Sequence, residues 1–457
     1  MRAWCVLVLA LTWALTGTAT EAVVIPDPGL EAAIREALGK PVGGLTPADL
    51  AGLTGLYAAG RDIEDLSGLE HAVNLKELDL TDNRIADLSP LATLTELEEL
   101  SIAENYIADL TPLSRLKRLR ILEAAFNQIE DLSPLAGLPE LSHLTLNHNR
   151  VRDITPLAGL GKLEWLDLMS NEVTDLTPLA QLGRLKWLFL TFNNVFDLGP
   201  LAGLKGLRWL WLDMNGVMDV SPLGGLAELR WLSLSTNGVA DIRPLSGLVE
   251  LEILDLSLNE VSDLGPVSGL RKLRKLVLNG NAIRDLTPIA GLTELRSLGL
   301  AGNQVSALSP LAALTNLEEL NVAQNAVRDL SPLAGLTNLT ALFAAGNKIS
   351  DLTPLSGLNK LRTVNLQGNL IRAIEPLQGL GALCDLLLGG NNIANIAPLS
   401  GLANLEILDL SRNPIQSFAP LLKIPALRLV NVMGILLNPE AREVLALLEA
   451  QGVLVIR

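Results

Sequence analysis

The fold of this chain can be predicted from the segment LKELDLTDNRIADLSPL, which runs from Leu75 to Leu91. Its pattern, LxxLxLxxNxIxDLxPLxxLxx, returns every 22 residues, so that sixteen asparagines from Asn83 to Asn413 are separated by one constant interval. Self-similarity at a short, fixed period predicts a single elongated stack of repeats, even though 457 residues would ordinarily form several globular domains. The length of the chain therefore reflects its number of repeats.

Each position of the repeat has a physical interpretation. Two leucines, such as Leu78 and Leu80, alternate with polar residues, which is the period of a strand with one buried face. Stacked repeats would then form a long parallel sheet. The asparagine amide offers donors and an acceptor to backbone groups that the following turn leaves unpaired. A Ser-Pro or Thr-Pro pair, as in Thr111-Pro112, predicts a short helical turn capped by the hydroxyl group.

An aspartate follows the asparagine by four residues in most repeats, from Asp87 to Asp351. Such a column could be a carboxylate ladder for calcium. The simpler interpretation is a turn aspartate that accepts nearby backbone N–H groups, because the glycine-rich nonapeptide of calcium-binding β-helices is absent. Ala307, Ala373, Asn395 and Ser417 interrupt the column.

The repeat resembles the leucine-rich repeat, and its 22-residue length with the aspartate and proline resembles the internalin-type subclass of bacterial surface proteins. This resemblance implies an α/β leucine-rich-repeat solenoid, with a curved parallel sheet and short helical turns on its convex side. It also implies that aromatic residues on the concave face meet protein receptors.

The ends of the chain depart from the repeat. Residues 1–22 resemble a signal peptide, with a short apolar run followed by small residues, and predict export to the cell envelope, the cell surface or the medium. The alternative is an uncleaved membrane anchor, which the run disfavours because it is shorter than the ~20 residues that span a bilayer. Terminal leucine layers need caps. Helices are predicted over 28–38 and 47–53, and at the other end a helix from Asn438-Pro439 to about Glu449 with a strand over 453–456. The predicted organisation is a signal peptide (1–22), a helical N-terminal cap with a degenerate repeat (23–70), sixteen repeats (71–435) and a C-terminal cap (436–457).

Composition narrows the function. A net charge of -15 and a pI near 4.8 argue against nucleic acid as partner, because phosphate binding relies on clustered Lys and Arg. No later stretch of sequence is expected to span a membrane. The chain has no HExxH, GxSxG, GxxxxGK[ST] or CxxC motif, so we expect a non-enzymatic protein with no metal site and no cofactor.

The candidate binding face consists of the residues six, four and two positions before each asparagine, which are expected to point onto the concave face. Five of the seven tryptophans fall in the fifth to eighth repeats, at or next to these columns, whereas glycines from Gly280 to Gly390 suggest that the later repeats are plain scaffold. The predicted ligand-binding residues are Trp165, Asp167, Met169, Trp187, Phe189, Phe192, Trp209, Trp211, Asp213, Met214 and Trp231.

Three hypotheses remain open at this stage. A protein or peptide partner, bound by a monomer, would use the tryptophans as hot spots, and the acidic residues around them would favour its basic groups. A glycan would stack its sugar rings on the indoles. A structural, envelope-associated solenoid would need the tryptophans only as a cross-strand ladder.

Overall fold

The computed structural model describes residues 22–457. The predicted signal peptide, apart from Ala22, lies outside the described residues. The described residues form two compact units, which meet in sequence at Val173 and Thr174. Within the described residues, no helix is long and apolar enough to cross a membrane. The domain boundaries drawn from the sequence remain predictions.

The first unit begins with two short helices, α1 (Pro28–Leu38) and α2 (Pro47–Leu50). Asp27 caps α1 by accepting the N–H of Leu30, and its second carboxylate oxygen accepts the N–H of Glu64 at 2.8 Å, which ties the cap to the first turn of the stack. Six parallel strands follow: β1 (Gly55–Tyr57), β2 (Glu77–Asp79), β3 (Glu99–Ser101), β4 (Ile121–Glu123), β5 (His143–Thr145) and β6 (Trp165–Asp167).

The prediction for α1 is confirmed, and the prediction that the second helix reaches residue 53 is wrong. Helix α2 ends at Leu50, because the chain must turn at once to enter β1 at Gly55. Gly52 lies in this turn, and glycine is a weak helix former.

The second unit repeats the same parallel strand arrangement thirteen times. Its last strand follows helix α3 (Pro439–Ala450), so the predicted helix and strand of the C-terminal cap are confirmed. The strands are β7 (Trp187–Phe189), β8 (Trp209–Trp211), β9 (Trp231–Ser233), β10 (Ile253–Asp255), β11 (Lys275–Val277), β12 (Ser297–Gly299), β13 (Glu319–Asn321), β14 (Ala341–Phe343), β15 (Thr363–Asn365), β16 (Asp385–Leu387), β17 (Ile407–Asp409), β18 (Leu429–Asn431) and β19 (Leu454–Ile456).

Inside each unit the strands of the repeats pair in register at the 22-residue interval, as Trp187 with Trp209 and Trp209 with Trp231, whereas the capping strand β19 pairs with β18 at an interval of 25 residues. The central residue of nearly every strand, usually a leucine such as Leu210, is buried, so its two neighbours point to the opposite, solvent-facing side of the sheet. We call that side the sheet face. We number the repeats 1 to 16 by their asparagines, so β7, β8 and β9 belong to repeats 6, 7 and 8.

The predicted role of the asparagine column is confirmed. Asn215 donates from Nδ2 to the carbonyls of Leu190, Leu212 and Asp213 at 2.9–3.1 Å, and its Oδ1 accepts the N–H of Val195 at 2.9 Å. One side chain thus satisfies groups in its own turn and in the preceding repeat. This bonding recurs along both units and fixes the register of the stack.

A short 3₁₀ helix in each repeat packs behind the sheet. The predicted hydroxyl cap is wrong. The residue that precedes each of these helices in the described chain makes no capping hydrogen bond with its side chain, as at Val220. The aspartate two residues before the Ser or Thr takes that role: Asp219 Oδ1 accepts the N–H of Ser221 at 2.8 Å. These helices are Leu69–His71, Ser89–Thr93, Thr111–Arg115, Ser133–Leu135 and Thr155–Gly159 in the first unit. In the second unit they are Thr177–Leu179, Gly199–Gly203, Ser221–Gly225, Arg243–Gly247, Gly265–Gly269, Thr287–Ile289, Ser309–Ala313, Ser331–Leu333, Thr353–Leu355, Glu375–Leu377, Ala397–Gly401 and Ala419–Lys423.

The residue just before each spine asparagine has a left-handed backbone in most repeats. In repeat 6 it is Phe192 (φ 58°) and in repeat 7 Met214 (φ 53°), whereas repeats 13 to 15 have glycine there, with φ between 64° and 68°. The prediction that these glycines belong to the columns of the sheet face is therefore wrong. They lie at a position whose left-handed backbone favours glycine. Glycine adopts this conformation without the steric cost of a Cβ.

Candidate functional site

Five aromatic side chains lie together on β7, β8 and β9 of the second unit, and we call them the aromatic face: Trp187, Phe189, Trp209, Trp211 and Trp231. The rings of Trp187 and Trp209 are stacked, with centroids 5.2 Å apart and planes 15° apart. Trp211 meets Phe189 edge to face at 5.0 Å and lies tilted against Trp231 at 5.2 Å. The in-register pairing of the strands brings these rings into contact.

The aromatic face is less open than the sequence suggests. All four tryptophans are partly buried, because each ring covers part of its neighbour. Phe189 is only 7 % exposed. It packs edge to face against Trp211, and because it is buried, a ligand arriving at this surface would meet the indole rings. Aromatic contacts of this kind contribute roughly 0.5–1.5 kcal/mol beyond area burial, so the cluster is also a stabilising element.

The indole N–H of Trp211 is a buried donor with no acceptor in the part of the chain that the structure describes. Buried polar groups are nearly always hydrogen-bonded, so an exception needs an explanation. Trp211 and Trp231 line a depression of about 160 Å³ on the sheet face, together with Asp213 and Asp255. A ligand seated there could supply the missing acceptor after a small movement of the ring.

Asp213, predicted as a ligand-binding residue, is already occupied by the protein. Its Oδ1 accepts the N–H of Ser235 at 2.8 Å and also the hydroxyl of Ser233, and its Oδ2 accepts from Thr191 at 3.2 Å. These contacts join the ends of three successive strands. Asp213 thus positions the aromatic face, and it contributes negative charge beside it.

An apolar ridge runs along the adjoining loop edge. It is formed by Phe192, Phe196, Met214 and Met218, which are between 51 % and 70 % exposed. Phe192 and Met214 have this exposure on a left-handed backbone, where glycine is the easiest residue to accommodate. Exposed side chains gain little from burial, so the fold itself does not account for these residues.

Three basic residues precede the tryptophans of this face. Arg208 pairs with Glu228 at 3.3 Å and Arg230 with Glu252 at 3.4 Å, while the Lys186 ammonium lies 5.9 Å from the centroid of Trp187. Arg208 and Arg230 are thus engaged in solvent-exposed ion pairs that contribute little.

The remaining predicted residues lie in the first unit. Trp165 of β6 faces His143 of β5 at 6.5 Å, with the planes 20° apart. Burial raises the pKa of Asp167, although the N–H of Met169 donates to its carboxylate at 2.9 Å. The first unit therefore carries a smaller aromatic pair of its own.

Sequence reasoning missed a second depression on the sheet face of the second unit, of about 230 Å³. It lies over Gly299, and Lys275 is among its lining residues. The signal was present in the sequence: Lys275 is the one Lys or Arg at the three sheet-face positions of the sixteen repeats. Within residues 22–457, no group of three or more His, Cys, Asp or Glu side chains could hold a metal ion, and Cys384 is a half-buried free thiol.

Comparison with known proteins agrees with this architecture. The family described as Leucine Rich repeats (2 copies) matches residues 73–115, 117–159, 249–291, 293–335, 337–379 and 382–423, together more than half of the chain. The chain therefore belongs to the leucine-rich-repeat proteins. No curated protein matches it.

Solved structures identify the type of repeat. An internalin of Listeria monocytogenes, InlF, is 33 % identical, with a TM-score of 0.65; the match covers 76 % of this chain and 99 % of that one. The functional domain of InlJ from the same organism is 22 % identical, with a TM-score of 0.71, over 88 % of this chain and 84 % of that one. The protein is thus a bacterial leucine-rich-repeat protein with internalin-type repeats of 22 residues, as its sequence predicted.

The fold extends beyond bacteria. The plant peptide hormone receptor RGFR1, solved in complex with RGF2, is 19 % identical, with a TM-score of 0.62, over 85 % of this chain and 79 % of that one. This likeness concerns the fold alone.

Proposed function

We propose that this is a secreted or envelope-located, non-enzymatic binding protein whose aromatic face recognises a protein or peptide partner. The observation that supports this most strongly is the concentration of Trp187, Trp209, Trp211 and Trp231 on three adjacent strands. Other repeats place Ser, Thr, Ala or Glu in the same columns and keep the same backbone. The fold does not require tryptophan at these positions, so a partner is the better explanation.

The chemistry of the surface favours a peptide over a glycan. Tryptophans supply hot-spot contacts when a polar rim surrounds them. The apolar ridge extends the surface with phenylalanine and methionine, which suit apolar side chains of a partner and offer no hydrogen bonds to sugar hydroxyls. The mature chain is acidic and Asp213 lies beside the rings, so the partner is expected to carry basic residues. The protein is expected to act as a monomer.

The glycan hypothesis rests on one specific feature. The stacked pair of Trp187 and Trp209 presents partly exposed ring surface on which a sugar could lie. The sheet face also offers Thr191 and Ser235 near these rings, whose hydroxyls could bond to a sugar. It remains the second candidate, because both hydroxyls lie within the hydrogen-bonded network around Asp213 or next to it.

Tryptophan emission tests the proposal. The mature protein would be screened against a synthetic library of random dodecapeptides with free carboxyl ends, and against a panel of oligosaccharides. An enriched peptide should shift the tryptophan emission and protect it from acrylamide quenching, because the second unit carries four of the five tryptophans outside the signal segment on this face. Protection by an oligosaccharide instead would favour the glycan hypothesis. Binding with unchanged emission and unchanged quenching would exclude the aromatic face as the site.

A further inference from the structure

A depression adjoins the aromatic face on the second unit. We call it the Lys275 notch; the residues that line it include Asp255, Lys275, Asn279, Glu319, Asn321 and Phe343. Asp255 and Lys275 also line the depression beside Trp211 and Trp231. The two depressions are therefore adjacent on the sheet face and share Asp255 and Lys275, so a peptide held by the tryptophans could extend to the notch.

The notch exists because repeat 11 has almost no side chains on its sheet face. Gly299 allows Val277 and Asn279 to lie close against its backbone, because a Cβ there would come within 2.9 Å of Val277 Cγ1 and 3.0 Å of Asn279 Oδ1. Ser297 and Ala301, its neighbours on the same face, are also small. The volume of about 230 Å³ suits one amino-acid residue.

Lys275 brings a positive charge to a face on which the other repeats have no Lys or Arg. It comes from the basic run 271–275, and it is the member of that run that β11 turns onto the sheet face. Lys272 of the same run is paired with Glu250 at 2.6 Å, whereas Lys275 has no ion pair within the described residues. Its ammonium is exposed and is available to an anionic group of a ligand.

Two amides provide further donors. Asn279 Oδ1 accepts the N–H of Ala301 at 2.8 Å, and Asn321 Oδ1 accepts the N–H of Ala323 at 3.1 Å. Because each oxygen is engaged, each side chain keeps its NH₂ group as a donor, with no acceptor in reach in the part of the chain described.

In other repeats an aspartate accepts the same backbone N–H. The hydrogen bond to the backbone therefore does not explain why these two positions carry asparagine. At the position of Asn321, Asp255 accepts the N–H of Ser257 at 2.8 Å. At the position of Asn279, Asp213 accepts the N–H of Ser235 at 2.8 Å. The fold therefore accepts either residue, and only the group presented to a ligand differs: a second carboxylate oxygen from Asp, a donor from Asn.

We infer that the Lys275 notch takes the C-terminal residue of the peptide bound by the aromatic face, with the terminal carboxylate on Lys275, Asn279 and Asn321. This inference rests on the proposed function. The acidic side chains Asp255 and Glu319 in the same lining disfavour an isolated anion. They suit a group that has N–H donors beside its carboxylate, as the end of a peptide chain does. Phe343 provides an apolar wall for the last side chain.

The test compares each enriched dodecapeptide, labelled with fluorescein at its amino end, as the free acid and as the C-terminal amide. Fluorescence anisotropy should show that the acid binds about tenfold more tightly or better, since charge-assisted hydrogen bonds are the strong ones. Lys275→Met should remove that preference. Arg271→Met, which removes a charge from the same run but off the sheet face, should leave it intact.

A second variant tests whether the notch recognises the charge of the terminal carboxylate or only the shape of the last residue. Asn321→Asp keeps the acceptor for the N–H of Ala323 and replaces the donor with a negative oxygen. It should weaken binding of the free-acid peptide severalfold. Binding of the amide peptide and the unfolding midpoint of the protein should stay unchanged. Equal binding of acid and amide by the wild type, or equal weakening of both by Lys275→Met, would overturn the inference while the proposed function stands. Peptide binding that is insensitive to Trp209→Ala would overturn the proposed function itself.

Discussion

Repeats 6 to 8 and repeats 13 to 15 of the second unit have the same backbone and different surfaces. Both sets have three-residue strands, buried central leucine or valine residues and spine asparagines with the same bonds. Repeats 6 to 8 add the aromatic face and the apolar ridge. Repeats 13 to 15 carry mostly small or polar residues on β14 to β16, and glycine at the left-handed position.

This difference separates the residues that the fold requires from the residues that form the proposed binding surface. The shared core and spine are sufficient for the repeat, since repeats 13 to 15 form without tryptophan. Bulky residues at Phe192 and Met214 occupy a backbone conformation that glycine accepts more easily. Their presence fits the proposed contact with a partner, and four sets of substitutions test whether the two regions differ in this way.

The largest effect should come from the spine, and it should be the same in both regions. Asn347 donates to the carbonyls of Val322, Ala344 and Ala345 and accepts the N–H of Val327. Asn347→Leu leaves these buried groups unpaired and should lower the free energy of unfolding by roughly 2–4 kcal/mol in urea titration. Asn215→Leu should cost as much. A much smaller loss at Asn215 would show that the tryptophans, and not the spine, hold repeats 6 to 8 together.

The tryptophans should matter for binding more than for stability. Trp209→Ala removes a half-buried ring stacked on Trp187, and it should weaken an enriched peptide by about 2 kcal/mol or more, roughly thirtyfold. The unfolding free energy should fall by only about 1 kcal/mol. Calorimetric titration and urea unfolding measure the two. Ile407→Ala, in the same column of repeat 16, is the control and should not change binding.

The apolar ridge offers a change that should separate function from folding. Phe192→Gly with Met214→Gly introduces the residue that repeats 13 to 15 use at this position. The unfolding free energy should stay within about 1 kcal/mol of the wild type or rise, because the left-handed strain is relieved. Peptide affinity should fall by about 1 kcal/mol, as two exposed apolar contacts are lost. Gln324→Gly in repeat 12 is the matched control.

Unchanged affinity in the ridge variant, beside normal stability, would restrict the binding surface to the sheet face. A large loss of stability would show that Phe192 and Met214 pack against the turn in a way that the fold requires.

The smallest expected effect is on the stability of the fold at acidic pH. The Arg243 side chain, with its backbone N–H, lowers the pKa of Asp241 from 3.8 to about 2, and the Ser221 hydroxyl and N–H lower the pKa of Asp219. A lowered folded-state pKa stabilises the fold above the unfolded value, and this stability is lost as the pH falls from about 4 toward 2. Repeat 15 has Asn395, whose Oδ1 accepts the N–H of Ala397 at any pH.

Asp219→Asn with Asp241→Asn should therefore flatten the pH dependence of the urea midpoint between pH 5 and pH 2. At pH 7 the variant should be slightly less stable than the wild type, because asparagine still accepts the backbone N–H but lacks the charge that the Arg243 side chain and the Ser221 hydroxyl favour. An acid transition as steep as that of the wild type would mean that other carboxylates govern it.

The sequence predicted the features that depend on local pattern. The leucine period fixed the strands, the asparagine spacing fixed the spine, and proline and asparagine marked α1 and α3. It failed where the answer depended on the backbone conformation of one residue: the glycines from Gly280 to Gly390 were read as surface, and their left-handed φ became visible only in three dimensions. The aspartate caps were foreseen, but the hydroxyl caps were not found.

The site was predictable in position and not in geometry. A column of tryptophans can be read from spacing, but ring stacking and the burial of Phe189 depend on rotamers and neighbours across strands. Asp213 was expected to meet the ligand, yet it binds Ser235 and Thr191 of the adjacent repeats. The Lys275 notch was missed because its shape depends on how side chains from several repeats lie around the small residues Ser297 and Gly299.

The most direct measurement is a parallel selection of the dodecapeptide library on the wild type and on a variant without the tryptophans of the second unit. The variant carries residues that other repeats use on their sheet faces: Trp187→Ser, Trp209→Ser, Trp211→Ser and Trp231→Thr. Circular dichroism would verify its fold. The account predicts that sequences enriched by the wild type are not enriched by the variant. Enrichment of the same sequences by both proteins would contradict it.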